Sequence, residues 1–413
     1  MAEEGTRFEH AYTCQPVCGP ARACLQTGKY ATQVGCFRNN IHLPLDERTI
    51  AHHFADHGYR VGYIGKWHLA STTADGIDYQ TKPVPHMYRG GWRDEWIVSD
   101  VLEFTSHSYD GHMFDIDGNP REFPKGRYRV DAQTDWVLET LDSWKNSRQP
   151  FFLFISYIEP HHQNDNNRYE GPEGSKDRWA EYDVPGDLVD TEGDWRENYP
   201  DYLGCINSLD ANLGRVRDKL QECGMADDTV IVYTTDHGSH FRTRNSEYKR
   251  SCHAGCTRIP MVISGPGFEG GNVVSDIVSL IDVPPTICDA AGLPIPPHHR
   301  GRSLKGLADY TPGDWPQEVF MQISESQVGR AIRTKKWCYS VYAPDKQGGR
   351  DADSDRYVEQ YLYDYENDPH EKNNLVSDPA YLSVRAELAG VLRQRMTEAG
   401  EAVPVIEQAG KSR

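Results

Sequence analysis

The run Cys18-Gly19-Pro20-Ala21-Arg22 sets a thiol, a proline and an arginine at spacings that could do chemistry. Proline suits the first turn of a helix, where its missing N–H costs nothing, so Cys18 is expected at a helix N-terminus. That position favours negative charge. Arg22, four residues later, lies one turn along the same face and can hold an anion or fix a reacting group. An isolated cysteine is more often a buried thiol, or here a partner for Cys14; the surroundings of Cys18 argue for more. Three further clusters join basic and acidic side chains: Gly65-Lys66-Trp67-His68, Pro160-His161-His162 and Asp236-His237-Gly238, the last followed by Lys249-Arg250. Taken singly, a histidine is more often a surface or satisfied core residue, and Asp-His-Gly can be an ordinary turn.

The elements that would carry these clusters make the set more than a coincidence. Val61 to Ile64, Phe151 to Tyr157, Val230 to Thr235 and Met261 to Ser264 are short apolar runs rich in β-branched and aromatic residues, and read as buried strands. Between them lie helical patterns at Asp46 to His57, closed by Gly58, at Val130 to Trp144, and at Leu203, Ile206, Leu209, Leu213, Val216 and Leu220, stopping near Gly224. The alternation predicts an α/β fold around a large, mainly parallel sheet with helices on both faces. Each cluster directly follows a strand. In such sheets ligands sit outside the carboxyl ends of strands, so the clusters are expected to converge on one edge. Around residue 300 the chain turns rich in proline and glycine, and the catalytic domain is expected to span 1–308. The remainder, 309–413, reads as a smaller α+β domain, with antiparallel strands at Val319 to Ile323, Ala331-Ile332, Trp337 to Tyr342 and Tyr361 to Tyr365, then a helix from about Tyr381 to Ala399.

The run CGPARACLQTGKY resembles the signature of the formylglycine-dependent sulfatases, Cys or Ser-x-Pro-x-Arg followed by Leu-x-Thr-Gly. GKWHLA, EPHH, TTDHG, CTRIPMVISGPG and YLYDYENDPHEKNNL resemble further elements of the same family, in family order and over nearly the whole chain. The resemblance implies an alkaline phosphatase-like fold and a sulfuric ester hydrolase. Cys18 would be oxidised to formylglycine by a separate maturation enzyme, and its hydrate would attack sulfur. Arg22 and His68 would flank that group, His68 as the base for release of sulfate; Lys66 and Lys249 would bind sulfate oxygens; His161 would protonate the leaving alcohol. Asp236, His237 and residue 18 would ligate Ca²⁺ or another divalent cation. The family also has, before the cysteine signature, an apolar strand ending in paired metal-binding aspartates. The segment Met1 to Phe8 resembles the end of the helix that follows that strand, so a first β-α unit and two metal ligands are expected to be missing from this chain. A native enzyme with a longer N-terminus is the favoured explanation, and a non-catalytic binder of sulfated glycans the other.

The bulk composition is that of a globular enzyme: 413 residues, 38% hydrophobic and 26% charged. A formal charge of −18 argues against nucleic acid or an anionic membrane surface as partner, and requires any cations of an anion site to be gathered locally. No apolar run has the length of a membrane span, and the first residues lack the features of a signal peptide. A periplasmic or secreted form is possible if the chain is longer in nature. Ten cysteines are too sparse for a disulfide scaffold. Trp92, Trp96, Trp179 and Trp195 lie in polar segments between the clusters, where they could wall a pocket and stack on sugar rings or simply pack. A sulfated carbohydrate is the leading substrate; a phosphonate monoester or phosphodiester is the enzymatic alternative.

Overall fold

A computed structural model describes residues 1–73, 76–311 and 313–410. The chain forms two compact units. The first comprises 1–39, 185–192 and 230–413; the second comprises 40–184 and 193–229. None of the described helices is long and apolar enough to cross a membrane.

In the first unit a four-stranded mixed sheet is built around Thr6–Tyr12. That strand pairs in parallel with Asn272–Ser279 and antiparallel with Met261–Ser264, which pairs antiparallel with Ile231–Thr234. The Met1 to Phe8 segment, expected as a helix end, instead opens with a turn and enters this strand at Thr6. The alternation is legible in hindsight: Thr6 and Phe8 are buried while Arg7 is exposed. A second sheet of the unit, in the order Glu318–Ile323, Gly329–Thr334, Trp337–Tyr342, Arg356–Asp364 and Val405–Glu407, is antiparallel except for its last, parallel pair. The helix Leu382–Glu398 covers it, burying Leu388, Ala389, Leu392 and Met396 against Ile332, Tyr339, Tyr357 and Leu362.

In the second unit Arg60–Lys66 lies between two parallel neighbours, Glu95–Ser99 and Phe151–Ser156, and Asp110–Phe114 continues the sheet antiparallel beyond Glu95–Ser99. The helices Ile50–Asp56, Arg129–Trp144 and Trp195–Glu222 follow the apolar periodicity of the sequence. His57 caps the first, and Gly58 then takes a left-handed φ of 84°. Trp92 and Trp96 are core residues, each 0% exposed and packed on Tyr63, so neither walls a pocket. Their rings fill the space under the sheet that a polar-looking sequence had concealed. Trp195 is also buried, at the start of its helix; Trp179 is half-buried.

Candidate active site

In the first unit the site begins with the helix Cys18–Thr27. Val17 precedes it in extended conformation, Pro20 lies in the first turn, and Gly28 ends it at a φ of 66°. Cys18 is thus the first helical residue, as its neighbours predict. All ten residues of the helix are buried. The Gly19 N–H, one of the amides a helix start leaves unpaired, donates to Asn39 Oδ1 at 2.9 Å.

The strand Ile231–Thr234 delivers Asp236 and His237. Gly238 is required here for close approach, because a Cβ would lie 2.3 Å from the Gly255 carbonyl oxygen. His237 donates from Nδ1 to the Gly238 carbonyl at 2.9 Å, which turns Nε2 toward Cys18 Sγ, 3.2 Å away. Lys249, 2% exposed, places Nζ 2.7 Å from that sulfur and 3.3 Å from His237 Nε2. Its carbonyl accepts from His240 Nε2 and from Asn245 Nδ2, each at 3.1 Å, so the backbone carrying the ammonium is anchored twice. Burial pulls the Lys249 pKa down, but Cys18, Tyr248 and Asp236 outweigh it and hold the ammonium above its ordinary value. Arg22 lies 3.4 Å from Asp236 through Nε. Burial raises the Asp236 carboxyl, yet His237 and Arg22 bring it below the usual carboxylate range. An acidic chain has gathered its cations here, as anion chemistry requires.

The segment between His237 and Lys249 is strained: Phe241 and Arg242 have positive φ values of 49° and 61°, and Arg250 one of 72°. The end of the strand Glu318–Ile323 supports it. Gln322 donates its amide to Cys14, Ser326 Oγ bonds the Arg250 carbonyl, and Glu325 takes Arg250 at 2.8 Å and the Asn39 amide. Asn39 and Glu325 were not singled out from the sequence. Nothing local marks either of them, since their role depends on contacts across long stretches of chain.

In the second unit, Lys66 ends one strand with His68 just beyond it, and His161 follows its parallel neighbour, so these two clusters do leave the sheet at the same edge. His68 has a left-handed φ of 59°. The turn is held by buried Asp100, whose carbonyl accepts the His68 amide and whose Oδ1 accepts from the Leu69 and Ala70 amides, each at 2.9 Å. Lys66, 1% exposed, binds both oxygens of Glu103, at 2.9 and 2.8 Å. His161 donates from Nδ1 to the His162 carbonyl at 2.6 Å and has Nε2 4.0 Å from Glu103. Asp100 and Glu103 were missed because Glu95–Ser99 was not read as a strand. Its Trp-Ile-Val centre was the available signal.

Cys18, Asp236 and His237 bring their ligand atoms within 4.8 Å of one another, the one such group among the described residues. They offer one carboxylate oxygen, one imidazole nitrogen and one sulfur. Ca²⁺ takes roughly six to eight oxygens, so these three donors alone do not fit it.

The fold is that of alkaline phosphatase-like enzymes, with mixed sheets, helices and an antiparallel sheet in the C-terminal part. The solved structure of a putative sulfatase, yidJ, from Bacteroides fragilis matches with a TM-score of 0.82 at 22% identity, covering 97% of this chain and 90% of that one. Residues 1–293 match the profile of the sulfatase family, and residues 247–398 that of the C-terminal part of N-sulphoglucosamine sulphohydrolase; the chain belongs to the sulfatase family, a family of hydrolases. It is 26% identical over 415 residues to an ulvan-active sulfatase of Formosa agariphila, covering 97% of this chain and 76% of that protein. It is 24% identical over 461 residues to an N-acetylglucosamine-6-O-sulfatase of Bacteroides thetaiotaomicron, covering 95% and 80%.

Proposed function

We propose that this sulfatase removes sulfate from a sulfated carbohydrate, with residue 18 in the formylglycine form. The observation that carries the reading is Cys18 at the first turn of a buried helix with Lys249 Nζ 2.7 Å from its Sγ. That sulfur stands where the oxygens of a hydrated formylglycine would be. As formylglycine, residue 18 would supply a geminal diol, one oxygen for attack at sulfur and the other for release of sulfate.

The chain's own residues do the rest. The helix N-terminus and Lys249 stabilise negative charge gathered at residue 18. Arg22 holds Asp236 in place and adds a second cation. To Lys66, His68 and His161 the proposal gives the roles the family resemblance implies: binding a sulfate oxygen, taking the proton on release, and giving a proton to the leaving alcohol. Two of its relatives are an ulvan-active sulfatase and an N-acetylglucosamine-6-O-sulfatase, which supports a sulfated sugar here.

The test joins mass spectrometry of the Cys18 peptide, from protein expressed with a maturation enzyme, to turnover of N-acetylglucosamine 6-sulfate and ulvan fragments. The expected result is conversion of thiol to aldehyde, sulfate release, and loss of both in Cys18→Ala. Conversion with turnover of a phosphonate monoester and no sulfate ester would overturn the substrate class. An unconverted Cys18 in protein that nevertheless releases sulfate would overturn the nucleophile.

A further inference from the structure

Glu103 is a buried carboxylate that no sulfatase signature in the chain contains. It lies beyond the strand Glu95–Ser99, in the turn Leu102–Phe104, and reaches the ends of the next two parallel strands. Both of its oxygens bind Lys66 Nζ, at 2.9 and 2.8 Å, and Oε1 is 4.0 Å from His161 Nε2. Its backbone carbonyl accepts from Gln163 Nε2 at 2.9 Å, tying the turn to the loop that carries His161. The groups facing it from the packed elements are Lys66 and His68 after one strand, His161 after another, and Arg129 from the helix Arg129–Trp144. Arg129 is itself occupied, donating to Glu159 at 2.9 Å and to the Ser106 carbonyl at 3.0 Å.

Burial would push the Glu103 carboxyl up, but Lys66, with His161 and His68 behind it, outweighs burial and brings it below the ordinary carboxylate range. Glu103 is therefore an anion. A buried ion pair of this kind is a poor source of stability, since apolar side chains of the same volume commonly do as well. Its geometry fits a different task. His161 donates its Nδ1 proton to the His162 carbonyl, so the ring gains or loses its second proton at Nε2, the nitrogen 4.0 Å from Glu103. A negative charge beside Nε2, too far for a hydrogen bond, favours that proton without capturing it.

We propose that Glu103 is a positioning residue for ester hydrolysis: its carboxylate anchors the Lys66 ammonium and supplies the negative charge on which the proton-donating form of His161 depends. The inference rests on the sulfate-ester reading of the site. The test compares matured wild type, Glu103→Gln and Glu103→Asp by NMR titration of the histidine rings, which needs no turnover, and by the pH profile of kcat/KM on a sulfated sugar. In Glu103→Gln the His161 midpoint should fall by roughly one pH unit, the effect of removing an opposite charge at this range. The alkaline limb of kcat/KM should move down with it, and kcat should drop at least tenfold. Glu103→Asp keeps the charge and should keep the limb in place; Glu103→Met removes the charge as Gln does and stands in for it if the Gln variant does not fold. An unmoved His161 midpoint in folded Glu103→Gln, or an Asp variant whose limb moves as far as that of Gln, would overturn the proposal. A wild type that turns over no sulfate ester while the His161 midpoint still shifts would instead overturn the substrate reading.

Discussion

Lys249→Met removes a charge and keeps most of the volume, so its effect on chemistry separates from its effect on folding. The ammonium lies 2.7 Å from the atom at the centre of the site. At an effective dielectric of ~20, unit charges at that distance interact by about 6 kcal/mol. A sulfate group spreads its charge over several oxygens, and only the increase on reaching the transition state counts, so about half of that, ~3 kcal/mol, is the catalytic share. This matches the known cost of deleting one preorganised donor and corresponds to a loss of roughly a hundredfold in kcat. Stability should fall as well, because the neighbours that outweigh the burial cost of this ammonium lose their partner; kcat per folded molecule separates the two effects. Steady-state kinetics on a sulfated sugar, beside urea unfolding of the same preparations, measures both. A kcat within threefold of wild type would refute the assignment of Lys249 to the reacting centre. A large loss of stability with normal kcat per folded molecule would make the lysine structural.

Two more perturbations bear on the scaffold. Gly65 sits at a φ of +125° beside Lys66, and a Cβ there would lie 1.9 Å from the Ser156 carbonyl oxygen; Gly65→Ala should cost roughly 3–5 kcal/mol, read as a lower urea midpoint, and an unchanged midpoint would contradict the packing of these strands. The Asp282 carboxyl is pushed up to about 6 by burial, partly offset by the Arg302 and Ser279 amides. An acid with a raised folded-state pKa binds its proton more tightly when folded, so its contribution is present below about pH 4 and is lost as pH rises to about 6. The stability of wild type relative to Asp282→Asn should therefore fall across that window, and a difference that is flat or rises with pH would refute the assignment.

Much of this could be read from the chain because its signals are local. Pro20 and Gly28 bracket the helix that starts at Cys18, and the steps from Leu203 to Leu220 mark a helix that the structure extends to Trp195–Glu222. The strand Met261–Ser264 falls where its apolar run places it. What escaped depends on distant partners. Thr6–Tyr12 carries Glu9 and His10 in its middle and becomes a strand through pairing with residues near 263 and 272–279, which no short window contains. Trp92 and Trp96 look like surface aromatics among Arg93, Asp94 and Glu95, and are core because Tyr63 and Phe154 lie beneath them. Leaving Glu95–Ser99 unread as a strand also hid Asp100 and Glu103, which hold the turn and the cation that the sequence did reveal.

The depth of Cys18 has a consequence in time. At 2% exposure its sulfur is out of reach of any enzyme once the chain has closed over it. The lysine that closes over it lies 231 residues further along the chain. At a synthesis rate of about 5–20 residues per second, Cys18 precedes that partner by roughly 10–50 s. Any enzyme that acts on this thiol must work within that interval or keep the chain open beyond it, and slowing folding, not improving access to the folded protein, would be the way to raise the yield of altered chains.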